Sequence, residues 1–145
     1  MNPTIRKFKE DDIFRFVSRD SVLDEKERSL LKYKLRSGPA FTVELGEEIL
    51  ACGGIVILWP GVGTTWMNVS DNISSHKIWF HRTVKRMLLQ IISIYKLHRI
   101  DAAIRVGIER DEKWAYKLGF TPEGPLNAYG PNKEDYYRFV RLKGV

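Results

Sequence analysis

Apolar residues recur along this chain with two periods, and each switch of period marks an element. Residues 4–8 alternate as a strand, with Ile5 and Phe8 as candidate inward residues. Asp11 or Asp12 can then cap a short helix carrying Ile13, Phe14, Phe16 and Val17. Residues 24–35 predict a second helix: Glu25, Lys26, Glu27 and Arg28 face water, while Leu30, Leu31, Tyr33 and Leu35 form its apolar side. Ser37-Gly38-Pro39 stops it. Strand candidates at 40–45 and 49–58 flank a tight Gly46-Glu47-Glu48 turn and predict a hairpin. A second turn, Trp59-Pro60-Gly61-Val62-Gly63, leads into a strand over 64–70, so the three runs make a meander.

The longest periodic segment covers 75–96. Ile78, Phe80, Val84, Met87, Leu88, Ile91 and Tyr95 recur there at helical spacing, with Lys77, His81, Arg82, Lys85 and Arg86 on the opposite side or its borders. Ser74 or Ser75 suits its N-cap. A strand over 99–106, a shorter helix over 109–118 and a closing strand over 136–142 follow. Gly119 stops the shorter helix, because a left-handed position just past a helix end strains any residue with a Cβ. Phe120 can then fold back over Leu118 or Trp114, and the extended run resumes only after Pro122 and Gly124. This order predicts an α/β (α+β layered) fold. With no internal repeat or linker, residues 1–145 read as a single domain.

Composition narrows the function less than the pattern narrows the fold. Hydrophobic residues at 43% and charged residues at 29% are an ordinary soluble balance, and no apolar run reaches the roughly 20 residues that span a bilayer. The opening MNPTIRKFKEDD has no apolar signal core, so a cytoplasmic protein is expected. Cys52, the sole cysteine, excludes an internal disulfide and a thiolate metal cluster, and its apolar neighbours read as core. A formal charge of +6 favours anionic partners: nucleic acid, acidic proteins or phosphorylated cofactors. The basic residues are scattered, which leaves a nucleic-acid-binding protein as a distant third reading.

His76, His81 and His98 make no metal set, since His76 and His81 at i, i+5 point roughly 140° apart on a helix. Gly61-x-Gly63 lies between strands and reads as a hairpin turn, not a dinucleotide loop. Trp59 and Trp66, beside it, read as packing at a sheet edge.

TIRKFKEDDI at the start and KWAYKLGFTPEG near the end, at their spacing in a chain of 145 residues, are similar to two segments of the GCN5-related N-acetyltransferase (GNAT) family. The chain resembles that family over almost its full length. The resemblance implies a GNAT-like acyl-CoA N-acyltransferase fold, a mixed central sheet flanked by helices. TWMNVSDN and the terminal YYRFVRL are similar to acetyltransferase-like proteins encoded by tailed phages, some of them internal virion proteins. That narrower likeness implies a phage or host protein partner and a virion-associated location.

In the family, acetyl-CoA lies in a V-shaped gap between two parallel central strands. The resemblance therefore places Asn68, Val69 and Ser70 beside the pantetheine arm. It places the pyrophosphate at Ser74, Ser75, His76 and Lys77, where the long helix begins with unpaired amides. The family's Arg/Gln-x-x-Gly-x-Gly/Ala reads here Ser74-Ser75-His76-Lys77-Ile78-Trp79, with Lys77 and Trp79 at the small positions. Trp79 can plug the pocket if it points inward, or pack into the core if the register differs. The charges of Lys77 and Arg82 can replace part of the lost amide contacts. The family's asparagine falls near Ile108, and its proton-donating tyrosine falls on Ala115, with Tyr116 one residue late.

Amide formation needs a base for the incoming amine, and His76 and Asp71 are the candidates. His98 reads as structural. Tyr129 and Asn132, in the loop before the last strand, can border the acceptor, an amine-bearing small molecule or protein. Two functions follow: an acetyl-CoA-dependent N-acetyltransferase, or a non-catalytic GNAT-like virion or host-interaction protein.

Overall fold

The computed structural model describes residues 2–15, 29 and 37–143. The strands are β1 (Thr4–Lys7), β2 (Ala40–Leu45), β3 (Glu48–Trp59), β4 (Val62–Val69), β5 (Arg99–Arg105), β6 (Thr121–Leu126) and β7 (Tyr136–Leu142). They form one seven-stranded sheet in the order β1-β2-β3-β4-β5-β7-β6. Neighbours are antiparallel except β4 and β5, which run parallel. The described helices are α1 (Asp12–Arg15), α2 (Lys77–Ile94) and α3 (Glu109–Lys117). The helix expected over 24–35, apart from Ser29, and Phe16 and Val17 of the one before it, lie outside the described residues.

The meander of β2, β3 and β4 is as the turns predict, with Gly46 and Gly61 at positive φ. Adjacent side chains on β3 go to opposite faces. Cys52 and Val56 join Phe8, Ala40, Ile49 and Trp66 on one face. Ile55 joins Ile100, Phe139 and the inward residues of α2 and α3 on the other. Trp66 is thus a buried residue of an inner strand, not an edge packer, while Trp59 is 61% exposed at the end of β3. Ile5 and Phe8 are both drawn inward, to different clusters.

Helix α2 buries Phe80, Thr83, Leu88, Ile91 and Ile92. Ile78 and Tyr95, expected on that face, are 72% and 45% exposed. Ile78 precedes Phe80 by two residues, which turns it roughly 200° away from the sheet.

Helix α3 ends in a complete Schellman arrangement. Gly119 has φ 90°, its N–H donates to the Tyr116 carbonyl at 3.0 Å, and Phe120 N–H donates to the Ala115 carbonyl at 3.0 Å. Phe120 is 4% exposed and packs in one cluster with Leu118. Arg141 of β7 closes the end by donating to the Leu118 carbonyl at 2.8 Å.

The chain becomes extended again at Thr121, before Pro122, which corrects the later start expected from the sequence. Strand β6 carries two prolines and a glycine in six residues, TPEGPL, a composition that reads as turn. It forms because it needs a partner on one side only: it is the sheet's edge, and prolines there block further pairing.

Candidate active site

The parallel pair is short. Val62, Gly63 and Thr64 pair with Arg99, Ile100 and Asp101, and there the ladder stops. The Thr65 hydroxyl donates to the Asp101 carbonyl at 3.0 Å and closes the crotch. Beyond it β4 runs on to Val69 and β5 to Arg105 with no pairing between them, so the two strands form a fork open at their C-terminal ends. Such ends of parallel strands are where sheets with flanking helices bind ligands.

On the β4 arm, Ser70 N–H donates to the Leu50 carbonyl at 2.8 Å. By the alternation of an antiparallel ladder, the backbone of Asn68 also turns to β3, and those of Met67 and Val69 turn to the fork. Of the three expected pantetheine neighbours, Val69 therefore offers its backbone to the fork, while Asn68 and Ser70 spend theirs on β3. Met67 was not expected from the sequence; the pairing partner of β4, which reveals it, is a tertiary fact.

Between β4 and α2 lies a turn of 3₁₀ helix, Asp71–His76. The Ser70 hydroxyl caps this turn by accepting from Asn72 N–H at 3.3 Å. The Asn72 side chain in turn donates to Glu48. Ile73 anchors the turn in a cluster with Val43, Leu50, Ala51, Val69 and Phe80. The N-cap position of α2 is His76, and no side chain caps it. Ser74 and Ser75, expected as caps, instead lie exposed inside the 3₁₀ turn. The first amides of α2 are thus left uncapped by any side chain, beside the exposed Lys77.

Trp79 packs against the Val43–Phe80 cluster. Of the two placements open to it, the core is the one adopted. His76 is half-buried and Asp71 exposed, and neither side chain has a hydrogen bond or ion pair among the described residues. Arg82 lies one and a half turns into α2, and shares an open stripe on its outer face with Lys85 and Arg86.

The two aromatics of α3 go opposite ways. Trp114 faces α2: its ring stacks on Phe80 at 5.4 Å, and its Nε1–H donates to Nδ1 of His81 at 3.1 Å. Tyr116 faces β7, meeting Phe139 edge-on at 5.5 Å. Ala115 is buried at the position of the expected tyrosine. A hydroxyl is therefore missing there, and Tyr116 does not replace it. The Trp114–His81 bond joins residues 33 apart. In the sequence its one sign is an aromatic beside a histidine-bearing helix, which is too common to single out.

The loop of Tyr129 and Asn132 stands at the open end of the fork, since Val106 N–H donates to the Asp135 carbonyl at 3.0 Å. It is self-braced. Asn132 N–H donates to the Glu134 carboxylate at 3.0 Å and Ala128 N–H to that of Asp135 at 2.8 Å. Its own backbone amide first, and then that of Asn132, hold the Glu134 carboxyl below its ordinary value. Tyr129 is 56% exposed, against Tyr136. Far from the fork, the His98 ring packs over Gly61. No three metal-ligating side chains cluster among the described residues.

Comparison with solved structures gives the architecture its name. Ard1 from Thermoplasma volcanium superposes with a TM-score of 0.83 at 14% identity, covering 98% of each chain. The chain has the acyl-CoA N-acyltransferase fold. Ribosomal-protein-S5-alanine acetyltransferase from Vibrio fischeri matches with a TM-score of 0.76 at 18% identity, over 99% of this chain and 94% of that one. Spermidine N-acetyltransferase from Vibrio cholerae matches with a TM-score of 0.70 at 15% identity, over 96% and 94%. No family model matches the sequence, and no curated protein matches it.

Proposed function

We propose that this chain is an acetyl-CoA-dependent N-acetyltransferase acting by direct attack of an amine. The observation that carries this reading is the β4–β5 fork, with an uncapped helix start beside its open end. Acetyl-CoA would supply an activated thioester. The Val69 and Met67 backbones line the fork for the pantetheine arm, beside Asn68 and Ser70. Residues Ser74, Ser75, His76 and Lys77 meet the pyrophosphate, and Arg82 adds charge further along α2. His76 or Asp71 takes the proton from the amine, directly or through one water. Tyr129 and Asn132 border the acceptor, which is an amine-bearing small molecule or protein.

A second reading keeps the scaffold without the chemistry, as a virion or host-interaction protein. Two observations favour it: Ala115 in place of a tyrosine, and a 3₁₀ turn without glycine where phosphate would approach the backbone. Calorimetric titration with acetyl-CoA from low micromolar to millimolar concentration separates the two. Saturable binding, followed by thiol release in the presence of an amine, is the expected result. No binding anywhere in that range sinks the enzyme reading.

A further inference from the structure

Helix α2, KIWFHRTVKRMLLQIISI, contains no acidic residue. Lys77, Arg82, Lys85 and Arg86 make no ion pair and no side-chain hydrogen bond among the described residues. An 18-residue surface helix without a single carboxylate is unusual, because i, i+4 pairs of opposite charge are the common way to stabilise an exposed face. Arg82, Lys85, Arg86, Leu89, Gln90 and Ser93 form an open, shallow stripe along this face. They span about 16 Å of helix at 1.5 Å per residue. A hollow of ≈ 200 Å³ continues from the same Leu89 to Leu142 and Lys143 at the end of the sheet. The floor is apolar: Leu89 is 45% and Leu142 49% exposed.

We infer that this basic stripe, with the apolar hollow beside it, docks an acidic, amphipathic segment of a partner protein. The occupant follows from the combination of floor and rim. Unpaired cations call for carboxylates or phosphates. The floor selects between them, because exposed leucines reward apolar side chains placed between the charges. Single-stranded nucleic acid binds by stacking bases on aromatic rings, and no aromatic side chain lines the stripe or the hollow. A peptide with Leu at i, i+4 and i+7 and Glu at the flanking positions matches both features. Arg82 is shared with the proposed cofactor site, whereas Lys85, Arg86 and Leu89 lie outside it, and the inference rests on those three.

The test uses the full chain and a fluorescent 15-residue peptide of that pattern. Its controls are the same peptide with Lys for every Glu and a single-stranded DNA oligonucleotide of equal negative charge. The expected result is saturable binding of the acidic peptide, weakening with salt. Lys85→Glu/Arg86→Glu should weaken it at least tenfold, and Leu89→Asp alone should weaken it too. The Lys peptide should not bind. Absence of binding, equal binding of the Lys peptide, or no effect of the variants each overturns the inference. DNA that binds more tightly, and loses that binding in Lys85→Glu/Arg86→Glu, reassigns the face to nucleic acid and also overturns it.

Discussion

Asp12 shows how one residue can organise the start of the sheet. Its carboxylate, only 1% exposed as a residue, accepts from Nη1 and Nη2 of Arg6 at 2.9 and 2.7 Å, from Lys9 N–H at 2.8 Å and from the Thr42 hydroxyl at 2.8 Å. Burial pushes its pKa up, but Arg6, the Lys9 amide and Thr42 together pull it further down, so it titrates below the ordinary aspartate value. Its partner Arg6, also bonded to Glu44, is raised chiefly by the Asp12 hydrogen bond. Asp12→Asn offers one acceptor oxygen and turns an NH₂ toward donors, so it should cost about 1–3 kcal/mol in urea denaturation at pH 7. The unfolded carboxyl titrates near about 3.9 and the folded one lower. The stabilisation is therefore complete above the unfolded value and is lost as pH falls through the folded one. The gap between wild type and Asp12→Asn should close as the pH falls below about 4; a constant gap would refute the charge argument.

At the same scale, His76 separates two chemical roles. If it is the base, His76→Gln lowers kcat at saturating acetyl-CoA by about 10²-fold or more. A rise confined to the KM for acetyl-CoA makes it a phosphate contact instead. Neither role shows in the sequence beyond the residue type. What the structure adds is a half-buried ring at the helix start, with no hydrogen-bond partner among the described residues.

At the scale of elements, ends matter more than middles. The stop at Gly119 was legible because its cause is local: φ 90° is open to glycine and strained for other residues. A methyl there would also stand 3.2 Å from an Arg141 nitrogen. Gly119→Ala should lower stability by about 1–2 kcal/mol, read from thermal or urea unfolding. An unchanged midpoint would show that the left-handed position is not required. Strand β6 was not legible, since its prolines argue against a strand until the empty side of the edge is known. The start of α2 was misplaced for a related reason. Serines at 74 and 75 are good caps by type, but Ser70 captures the turn first and the 3₁₀ helix absorbs them.

For the whole molecule, the proposed cofactor should act on stability as well as chemistry. A ligand that binds only the folded chain stabilises it by about 2.7 kcal/mol at a hundred times its Kd. Acetyl-CoA at that excess should raise the melting temperature by several degrees, and a melting temperature that does not move argues for the non-catalytic scaffold. By itself the sequence determined the succession of most described elements, the meander, the helix stop and the lack of a tyrosine at 115. These are local matters of period, turn chemistry and identity, and a resemblance to one family bound them into a fold. Only the tertiary structure decided where the parallel ladder ends, which backbones face the fork, that Trp79 goes into the core, and that Trp114 bonds to His81. Each of these depends on a partner distant in the chain, and no spacing in the sequence encodes which partner arrives. The cations of α2, unpaired among the described residues, belong to both: the absence of acids is written in the helix, and the apolar hollow beside them exists only once Leu89 and Leu142 are brought together.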